Sequence, residues 1–343
     1  MKITLEELTS NCRNLMMKAG VPELAAKRVA ENLVSSDARG IHSHGVIRLA
    51  RYIDCMRSGG IRPDAEPVIL AEGPAYIRAS ANGGLGIPAS CEVVERLIAK
   101  SKTMPLAAAS VNHSDHYGAA GFYAMKCADA GLIGFSMSNT MPLIAVTGAV
   151  TAGIGNNPFA YAAPAGKYRA VLFDICMSVV ASGKIMLAAA DNHPIPEGWI
   201  LDKNGNPTTD PQAIYDGAIM LPVGGHKGYG LAMMVEILSG VLADAGTLPG
   251  VHSWNTVPGE DANTGHFFMT INPAFFGGLD SFSARMEKVI DELKSGKKGK
   301  GVSKIYYPGE LEFISEKRAR EEGIDLPDGS ASELERAARM LNQ

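Results

Sequence analysis

The sequence predicts an α/β protein whose N- and C-terminal segments are helical. Between residues 66 and 175, strand-like stretches such as AAASVN and LIGFSMS alternate with helix-like stretches such as EVVERLIAK. That alternation is typical of α/β folds. At the N-terminus, a Thr4–Glu7 capping box precedes apolar residues at helical spacing, and the tail at 330–341 is again amphipathic.

Further helices are indicated by local signals. Pro22 suits the first position of a second helix. Ser43 is a candidate N-cap for a third helix over 44–58, and a later helix is expected at 118–130. The stretch 227–245 is apolar nearly all round, so we expect a helix there that is buried.

Composition and charge argue against several classes of protein. The 343 residues are 46% hydrophobic and 20% charged, which allows a large core and two domains. The net charge of −4 argues against nucleic-acid binding. The longest apolar run, 229–243, contains Glu236 and is too short to span a bilayer. Five scattered cysteines without a C-x-x-C pair fit a reducing compartment, so we expect a soluble cytoplasmic protein with no membrane partner.

The segment DARGIHSHGVIRLARYI at 37–53 contains the first candidate site. In a helix over 44–58, His44, Arg48 and Tyr52 would stack on one face. Arginine can hold a carboxylate through two parallel hydrogen bonds, and histidine can move a proton near neutral pH. Together these groups suit redox chemistry on a 2-hydroxy or 2-oxo acid. The alternative is the solvated polar face of a surface helix.

The segment VNHSDHYG at 111–118 contains the second candidate site. It lies between a strand and a helix, where ligands gather in α/β folds, and His116 stands just before the helix. The alternative is that its polar residues only form the turn and cap. HSH and HSDH also hold metal-ligand residue types, so a metal-dependent hydrolase is an alternative of another class, although HExxH is absent.

A phosphate site has one candidate in the sequence. The dinucleotide fingerprint GxGxxG is absent, but GGHKGYG at 224–230 is glycine-rich and opens the apolar stretch. Its backbone N–H groups and Lys227 could hold a phosphate. The alternative is a tight turn that packs closely on the sheet.

The segment DARGIHSHGVIR resembles the signature of the type-2 malate/L-lactate dehydrogenase family. Five further segments resemble family segments in the same order: GLIGFSMSNT, GIGNNPFAYAAP, IPEGWILDKNGNPTTDP, GGHKGYGLAMMVEILSG and IYYPGE. The similarity spans essentially the whole chain. It implies a nicotinamide-dependent oxidoreductase that does not use a Rossmann fold.

The resemblance also implies an architecture and a reaction. A helical domain, formed by residues 1–72 and completed by about 305–343, would join a mixed-sheet α/β domain at 73–304. Members form homodimers with the active site near the domain and subunit boundary. The implied cofactor is NAD, with NADP as the alternative, and no metal is implied. The implied substrate is a small 2-hydroxy acid of malate or L-lactate type; ureidoglycolate dehydrogenase and cyclic-imine carboxylate reductase are alternatives within the family.

Residue roles are implied by the same resemblance. His44 and His116 are both candidates for the proton carrier, and Arg48 is the candidate for binding the substrate carboxylate. Tyr52 and Asn157 are expected beside the substrate. The positions expected to line the cofactor are Ser43, His116, Thr140, Asp174, Ile175, Cys176, His226, Lys227, Gly309 and Glu310.

Overall fold

The structure is a computed structural model that describes residues 1–342. Its α-helices are α1 (Leu5–Lys18), α2 (Glu23–Ala38), α3 (Leu49–Ser58), α4 (Gly86–Ser101), α5 (Ala120–Asp129), α6 (Ser182–Ala190), α7 (His226–Val235), α8 (Leu279–Lys294), α9 (Glu310–Glu322) and α10 (Asp328–Met340). The Thr4 hydroxyl accepts the Glu7 N–H at 3.2 Å, which confirms the predicted cap of α1.

The strands form three sheets. They are β1 (Lys2–Ile3), β2 (Val68–Gly73), β3 (Tyr76–Gly84), β4 (Leu106–Ser114), β5 (Ile133–Ser138), β6 (Pro142–Ala145), β7 (Ala152–Gly155), β8 (Phe159–Pro164), β9 (Ala170–Ile175), β10 (Ile200–Leu201), β11 (Pro207–Thr208), β12 (Ile219–Met220), β13 (Thr264–Ile271) and β14 (Ile324–Asp325). The large sheet has the order β2-β3-β4-β13-β5-β8-β9, and a smaller sheet has the order β11-β10-β12-β6-β7. Each contains one parallel pair, β3 with β4 and β12 with β6, among antiparallel neighbours. The predicted α/β class with a mixed sheet is confirmed.

The two ends of the chain pack together. Strand β1 pairs with β14, and the amino group of Met1 donates to the Leu326 carbonyl at 2.9 Å. Helix α10 packs on α3, and α9 packs on α2. One continuous hydrophobic core runs from these helices to the large sheet, because Leu8, Val94 and Leu172 belong to the same buried cluster. The predicted domain boundary at residue 72 lies inside β2.

The predicted helix over 44–58 is wrong in its first part. Residues His42–His44 and Val46–Arg48 form two short 3₁₀ turns, and the α-helix begins only at Leu49. Gly45 separates the turns in an extended conformation, with φ −89° and ψ −153°. Ser43 is therefore not the N-cap, and only Arg48 and Tyr52 keep the predicted helical spacing.

The prediction of a buried helix at 227–245 is also wrong. Helix α7 continues into a π-helical turn at Glu236–Val241 and ends there. Its burial is one-sided, since Ile237 is 50% and Val241 is 64% exposed. Some of the apolar residues thus face the core, and the others form an exposed apolar side of the helix. No helix in residues 1–342 has the length and apolar character needed to cross a membrane.

Candidate active site

A buried aspartate fixes the segment that carries His44. Asp37 lies in the last turn of α2, and its carboxylate accepts the Val46 N–H at 2.8 Å. The other carboxylate oxygen lies 2.8 Å from Nδ1 of His42. A Cβ on Gly45 would lie 2.2 Å from this carboxylate, so only glycine fits at that position. The steric contact and the two hydrogen bonds together impose the break between the 3₁₀ turns.

Arg48 folds back on this segment and keeps part of its guanidinium free. Its Nε donates to the Ser43 carbonyl at 2.7 Å, and the Ser43 hydroxyl lies 3.0 Å from Nδ1 of His44. Among the described residues, neither terminal nitrogen of the Arg48 guanidinium has a hydrogen-bond partner. Those two nitrogens form the edge that binds a carboxylate in parallel hydrogen bonds. Arg48 and His44 are thus oriented by the same turn.

The structure brings His116 to the same place. The Tyr52 hydroxyl lies 2.7 Å from Nδ1 of His116, and the His44 and His116 rings stack with centroids 5.7 Å apart. The Gly118 N–H also donates to Nδ1 of His116, at 3.4 Å. A backbone N–H cannot reverse its role, so Nδ1 accepts and the neutral His116 ring carries its hydrogen on Nε2. The two histidine segments predicted separately therefore form one site.

Trp254 completes the cluster and was not predicted from the sequence. Its indole stacks on His116 at 4.5 Å between centroids and on Tyr52 at 5.6 Å. The guanidinium carbon of Arg48 lies 5.6 Å from the indole centroid, within range of a cation–π contact. The loop that carries Trp254 has no periodic pattern. One sequence signal was available: this is one of two tryptophans in the chain.

Burial controls the charge state of the cluster. It lowers the pKa of His44 to about 3, with a further contribution from the Arg48 charge. Burial, followed by the charges of His44 and Arg48, also lowers the pKa of His116 well below its ordinary value. Both imidazoles are therefore neutral at neutral pH. The pKa of the Tyr52 phenol is raised by burial, so the phenol stays protonated beside His116.

A second buried carboxylate stands next to His116. Asp115 is 3% exposed and accepts the His116 N–H at 2.6 Å. Burial raises its pKa from the ordinary 3.8 to about 7, an effect that this hydrogen bond partly offsets. The charge of Asp261 raises the pKa further, and the charge of Arg51 lowers it.

Strand β9 gathers several of the positions expected to line the cofactor. Asp174 and Ile175 end this strand, and Cys176 follows it. The Leu172 N–H donates to the Pro308 carbonyl at 3.0 Å, which places Gly309 and Glu310 beside β9. A Cβ on Gly309 would lie 2.8 Å from that of Leu172, so glycine permits this close approach.

Asp174 also connects β9 to the segment that carries His116. One of its carboxylate oxygens accepts the Gly121 N–H at 2.7 Å, at the start of α5. Burial raises the pKa of Asp174 to about 6, while this hydrogen bond and the charge of Arg39 lower it. This contact joins the end of β9 to the start of α5, five residues after His116.

Backbone hydrogen bonds join the end of β9 to the other cofactor positions. The Met177 N–H donates to the Asn156 carbonyl at 2.7 Å, and the Val223 N–H donates to the Met177 carbonyl at 2.8 Å. The Asn156 side chain in turn accepts the Thr140 hydroxyl at 3.0 Å. Thr140, the end of β9 and the glycine-rich turn before α7 thus form one continuous surface.

Asn157 connects Thr140, on this surface, to α7 and Glu236 through hydrogen bonds. It is fully buried; its amide nitrogen donates to the Ala232 carbonyl at 3.0 Å and to Glu236 at 2.9 Å. Its oxygen accepts the Thr140 N–H at 3.0 Å. Because both the nitrogen and the oxygen of its side-chain amide are hydrogen-bonded, Asn157 holds Thr140 close to α7 and to Glu236 in the π-helical turn. The expected role of Asn157 beside the substrate stays a prediction.

The start of α7 has the features of an anion site. Gly224 and Gly225 adopt φ values of +61° and +63°, and a Cβ on Gly225 would meet no atom within 4 Å. No side chain in residues 1–342 caps this helix, and His226 and Lys227 are exposed. Uncapped N–H groups at a helix start, with a lysine beside them, fit a phosphate.

Glu310 has a different environment from the one expected. It is 8% exposed, and its carboxylate binds Nζ of Lys294 at 2.5 Å and Nζ of Lys304 at 2.9 Å. These contacts neutralise the carboxylate and hold the start of α9 against the end of α8 and the loop that follows it. The metal-dependent alternative also lacks a ligand set: among residues 1–342, no group of three or more His, Cys, Asp or Glu side chains is arranged to hold a metal ion.

Comparison with known families agrees with this geometry. The family described as malate/L-lactate dehydrogenase matches residues 3–335. The chain belongs to this family. It is an oxidoreductase, which replaces the hydrolase alternative, and the resemblance inferred from the sequence motifs is confirmed.

Individual relatives match over nearly the full chain. The chain is 38% identical to a malate dehydrogenase of Pyrococcus abyssi, over 99% of this chain and 95% of that protein. It is 35% identical to the ureidoglycolate dehydrogenase (NAD(+)) of Escherichia coli K12, over 96% and 93%. Among solved structures, the sulfolactate dehydrogenase of Methanocaldococcus jannaschii superposes with a TM-score of 0.92 at 31% identity, over 100% of this chain and 98% of that one.

Proposed function

We propose that this protein interconverts a small 2-hydroxy acid and its 2-oxo acid with NAD as cofactor, and that the site is the cluster of His44, Arg48, Tyr52 and His116. The observation that carries the proposal is the free guanidinium edge of Arg48 beside two neutral, half-buried imidazoles. Malate and L-lactate are the substrate type we favour. Ureidoglycolate is the alternative within the same chemistry, and cyclic-imine carboxylates are the alternative that would change the acceptor atom.

Arg48 would bind the carboxylate through its two free terminal nitrogens. The contact would be bidentate and would lie in a half-buried site, so it would also orient the carbon that bears the 2-oxygen. The Nε bond to Ser43 holds the plane of the guanidinium, so little rotation is lost on binding. When bound, the nicotinamide ring would supply the hydride acceptor or donor.

The two histidines would have different tasks. His116 carries its neutral hydrogen on Nε2, so it would donate a hydrogen bond to the 2-oxygen and stabilise negative charge there. Nδ1 of His44 faces a serine hydroxyl, which can rotate to donate or accept. Since that hydroxyl allows either tautomer of the ring, we assign proton transfer to and from the 2-oxygen to His44. The low pKa of His44 keeps the resting ring neutral, which is the form that accepts a proton in oxidation, and makes the protonated ring a strong acid toward the 2-oxygen in reduction.

The cofactor would lie along the surface formed by Thr140, the end of β9 and the start of α7. Its phosphates would meet the uncapped N–H groups at His226 and Lys227, and Ser43 and His116 would lie at the nicotinamide end. Asp174 would lie between this surface and the segment of His116. We favour NAD, with NADP as the alternative.

One assay tests the proposal. Purified protein is offered pyruvate, oxaloacetate and larger 2-oxo acids with NADH or NADPH, and loss of the reduced nucleotide is followed by absorbance. We expect turnover of at least one 2-oxo acid, faster with NADH, and the reverse reaction with the corresponding 2-hydroxy acid. Absence of turnover across the panel with both nucleotides would contradict the proposal.

We further propose a homodimer in which the exposed side of α7 and its π-turn meets a second copy. Five apolar side chains support this surface, with exposures from 37% to 64%: Leu231, Met233, Ile237, Val241 and Leu242. Ile237→Glu should give a monomer in sedimentation analysis, while the wild type sediments as a dimer.

The division into a helical unit (1–72 with about 305–343) and an α/β unit (73–304) stays a proposal, supported by the pairing of β1 with β14. A cytoplasmic location is proposed because all five cysteines are free thiols.

A further inference from the structure

Trp254 contacts two of the groups that would bind the substrate in the proposed mechanism, His116 and Arg48. The indole is stacked on His116 with an angle of 11° between the ring planes, and it lies under the Arg48 guanidinium. A 2-oxo acid with its carboxylate on Arg48 and its 2-oxygen on a histidine would therefore lie next to this ring. The rest of the substrate, beginning at C3, would meet the indole next.

The loop that holds Trp254 is attached to α3 at several points. The Arg51 guanidinium donates to the Asn255 carbonyl, and the Cys55 thiol lies 3.5 Å from the Trp254 carbonyl. A Cβ on Gly60 would lie 2.3 Å from the Pro258 carbonyl, so the loop and the end of α3 are in direct backbone contact. The same helix carries Tyr52, which also stacks on the indole. The position of the ring is therefore set by α3 together with the substrate-binding groups.

We propose that Trp254 is a specificity-determining residue that narrows the proposed substrate type: it makes the site select 2-oxo acids of the L-lactate type, with an uncharged substituent at C3, over those of the malate type, with a carboxylate there. This inference rests on the proposed function. The face of an aromatic ring carries negative partial charge and gives no hydrogen bond, so a second carboxylate held against it loses hydration without compensation. The terminal nitrogens of the neighbouring Arg51 face Asp54, at 3.8 Å, and the Asn255 carbonyl, which leaves only its buried Nε without a partner among the described residues. An alkyl substituent, by contrast, gains contact with the indole.

A matched pair of substrates isolates charge from length. 2-Oxobutyrate and oxaloacetate have the same carbon chain and differ at C4, which is a methyl group in one and a carboxylate in the other. We expect the wild type to favour 2-oxobutyrate in kcat/KM by about tenfold or more. Trp254→Arg should move this ratio toward oxaloacetate by roughly a hundredfold, because the new guanidinium can bind the C4 carboxylate. Trp254→Ala should reduce the preference, and Trp254→Phe should keep it.

The other tryptophan provides the control. Trp199 packs on the second hydrophobic core, around the small sheet, so Trp199→Phe should leave the ratio unchanged. A wild type that prefers oxaloacetate would overturn the inference. So would a ratio that stays the same in both Trp254→Arg and Trp254→Ala, each shown to be folded by circular dichroism.

A binding measurement separates this inference from the proposed function. The proposed function fails if no 2-oxo acid is turned over by the wild type. In that case, the Trp199→Phe variant, with Trp254 as its single tryptophan, is titrated with each acid in the presence of NAD, and emission is recorded. Tighter binding of 2-oxobutyrate than of oxaloacetate supports the inference. No change in emission, or tighter binding of oxaloacetate, overturns it.

Discussion

The hydroxyl of Tyr52 lies 2.7 Å from Nδ1 of His116, and the two residues are 64 positions apart in the chain. This contact joins α3, which carries Tyr52, to the loop before α5, which carries His116. Together with the Gly118 N–H it fixes Nδ1 as the acceptor and leaves the hydrogen of the neutral ring on Nε2. The assignment of separate tasks to the two histidines depends on this contact.

Tyr52→Phe should lower kcat by roughly tenfold, because Nδ1 of the half-buried His116 ring loses its better partner while the stacking on Trp254 is kept. KM for the 2-oxo acid should change little, since Arg48 is untouched. Steady-state kinetics measures both values, and a thermal melt of the variant controls for loss of folding. A kcat equal to that of the wild type would argue against an orienting role for the phenol.

His44→Gln and His116→Gln should differ in their pH profiles. With His44 replaced, kcat for oxidation should fall by roughly 10²- to 10⁴-fold, and the further loss of activity on acidification toward about pH 3, where His44 takes up a proton, should disappear. Glutamine at position 116 can still donate a hydrogen bond to the 2-oxygen, so that variant should be slower but should keep the wild-type profile. If the profile is instead lost in His116→Gln and kept in His44→Gln, the two tasks are exchanged.

Asp115→Asn should change how stability depends on pH. The folded pKa of about 7 lies above the ordinary 3.8, so the carboxyl contributes stability that is complete below about pH 4 and is lost as pH rises to about 7. Asparagine has no such titration and can still accept the His116 N–H. Between about pH 4 and pH 7, the unfolding free energy of the variant should therefore rise relative to that of the wild type, by an amount of the order of 4 kcal/mol.

Urea unfolding of both proteins at pH 4, 5, 6, 7 and 8 measures this difference. The direction of the shift is the essential result. A difference that stays constant between pH 4 and 7, or that moves in favour of the wild type, would show that the carboxyl is not held protonated in the folded protein.

Local sequence signals predicted the α/β class and the ends of several elements. The Thr4 cap depends on residues three apart, and the alternation of strands and helices depends on runs of apolar residues, so neither needs distant contacts. The helix over 44–58 failed for the opposite reason. Its break at Gly45 comes from the Asp37 carboxylate of the preceding helix, a contact between elements that helical spacing does not reveal.

The parts of the candidate site that have a local sequence signal were predictable, and the parts that depend on distant contacts were not. His44, Arg48 and His116 were found because their segments have an unusual density of polar groups and match family motifs. Trp254 was missed because it reaches the site from a loop without periodicity, about two hundred residues after Arg48. Asn157 was assigned to the substrate from a motif, whereas its amide bonds inside the protein can be seen only in three dimensions.

The most direct test of the site as a whole is the Michaelis constant of Arg48→Lys. Lysine keeps the positive charge but lacks the planar pair of donors that Arg48 presents. We expect KM for the 2-oxo acid to rise by roughly tenfold to a hundredfold while KM for the reduced nucleotide stays within about twofold. An unchanged KM for the 2-oxo acid in a folded variant would contradict the assignment of Arg48, and with it the proposed position of the substrate.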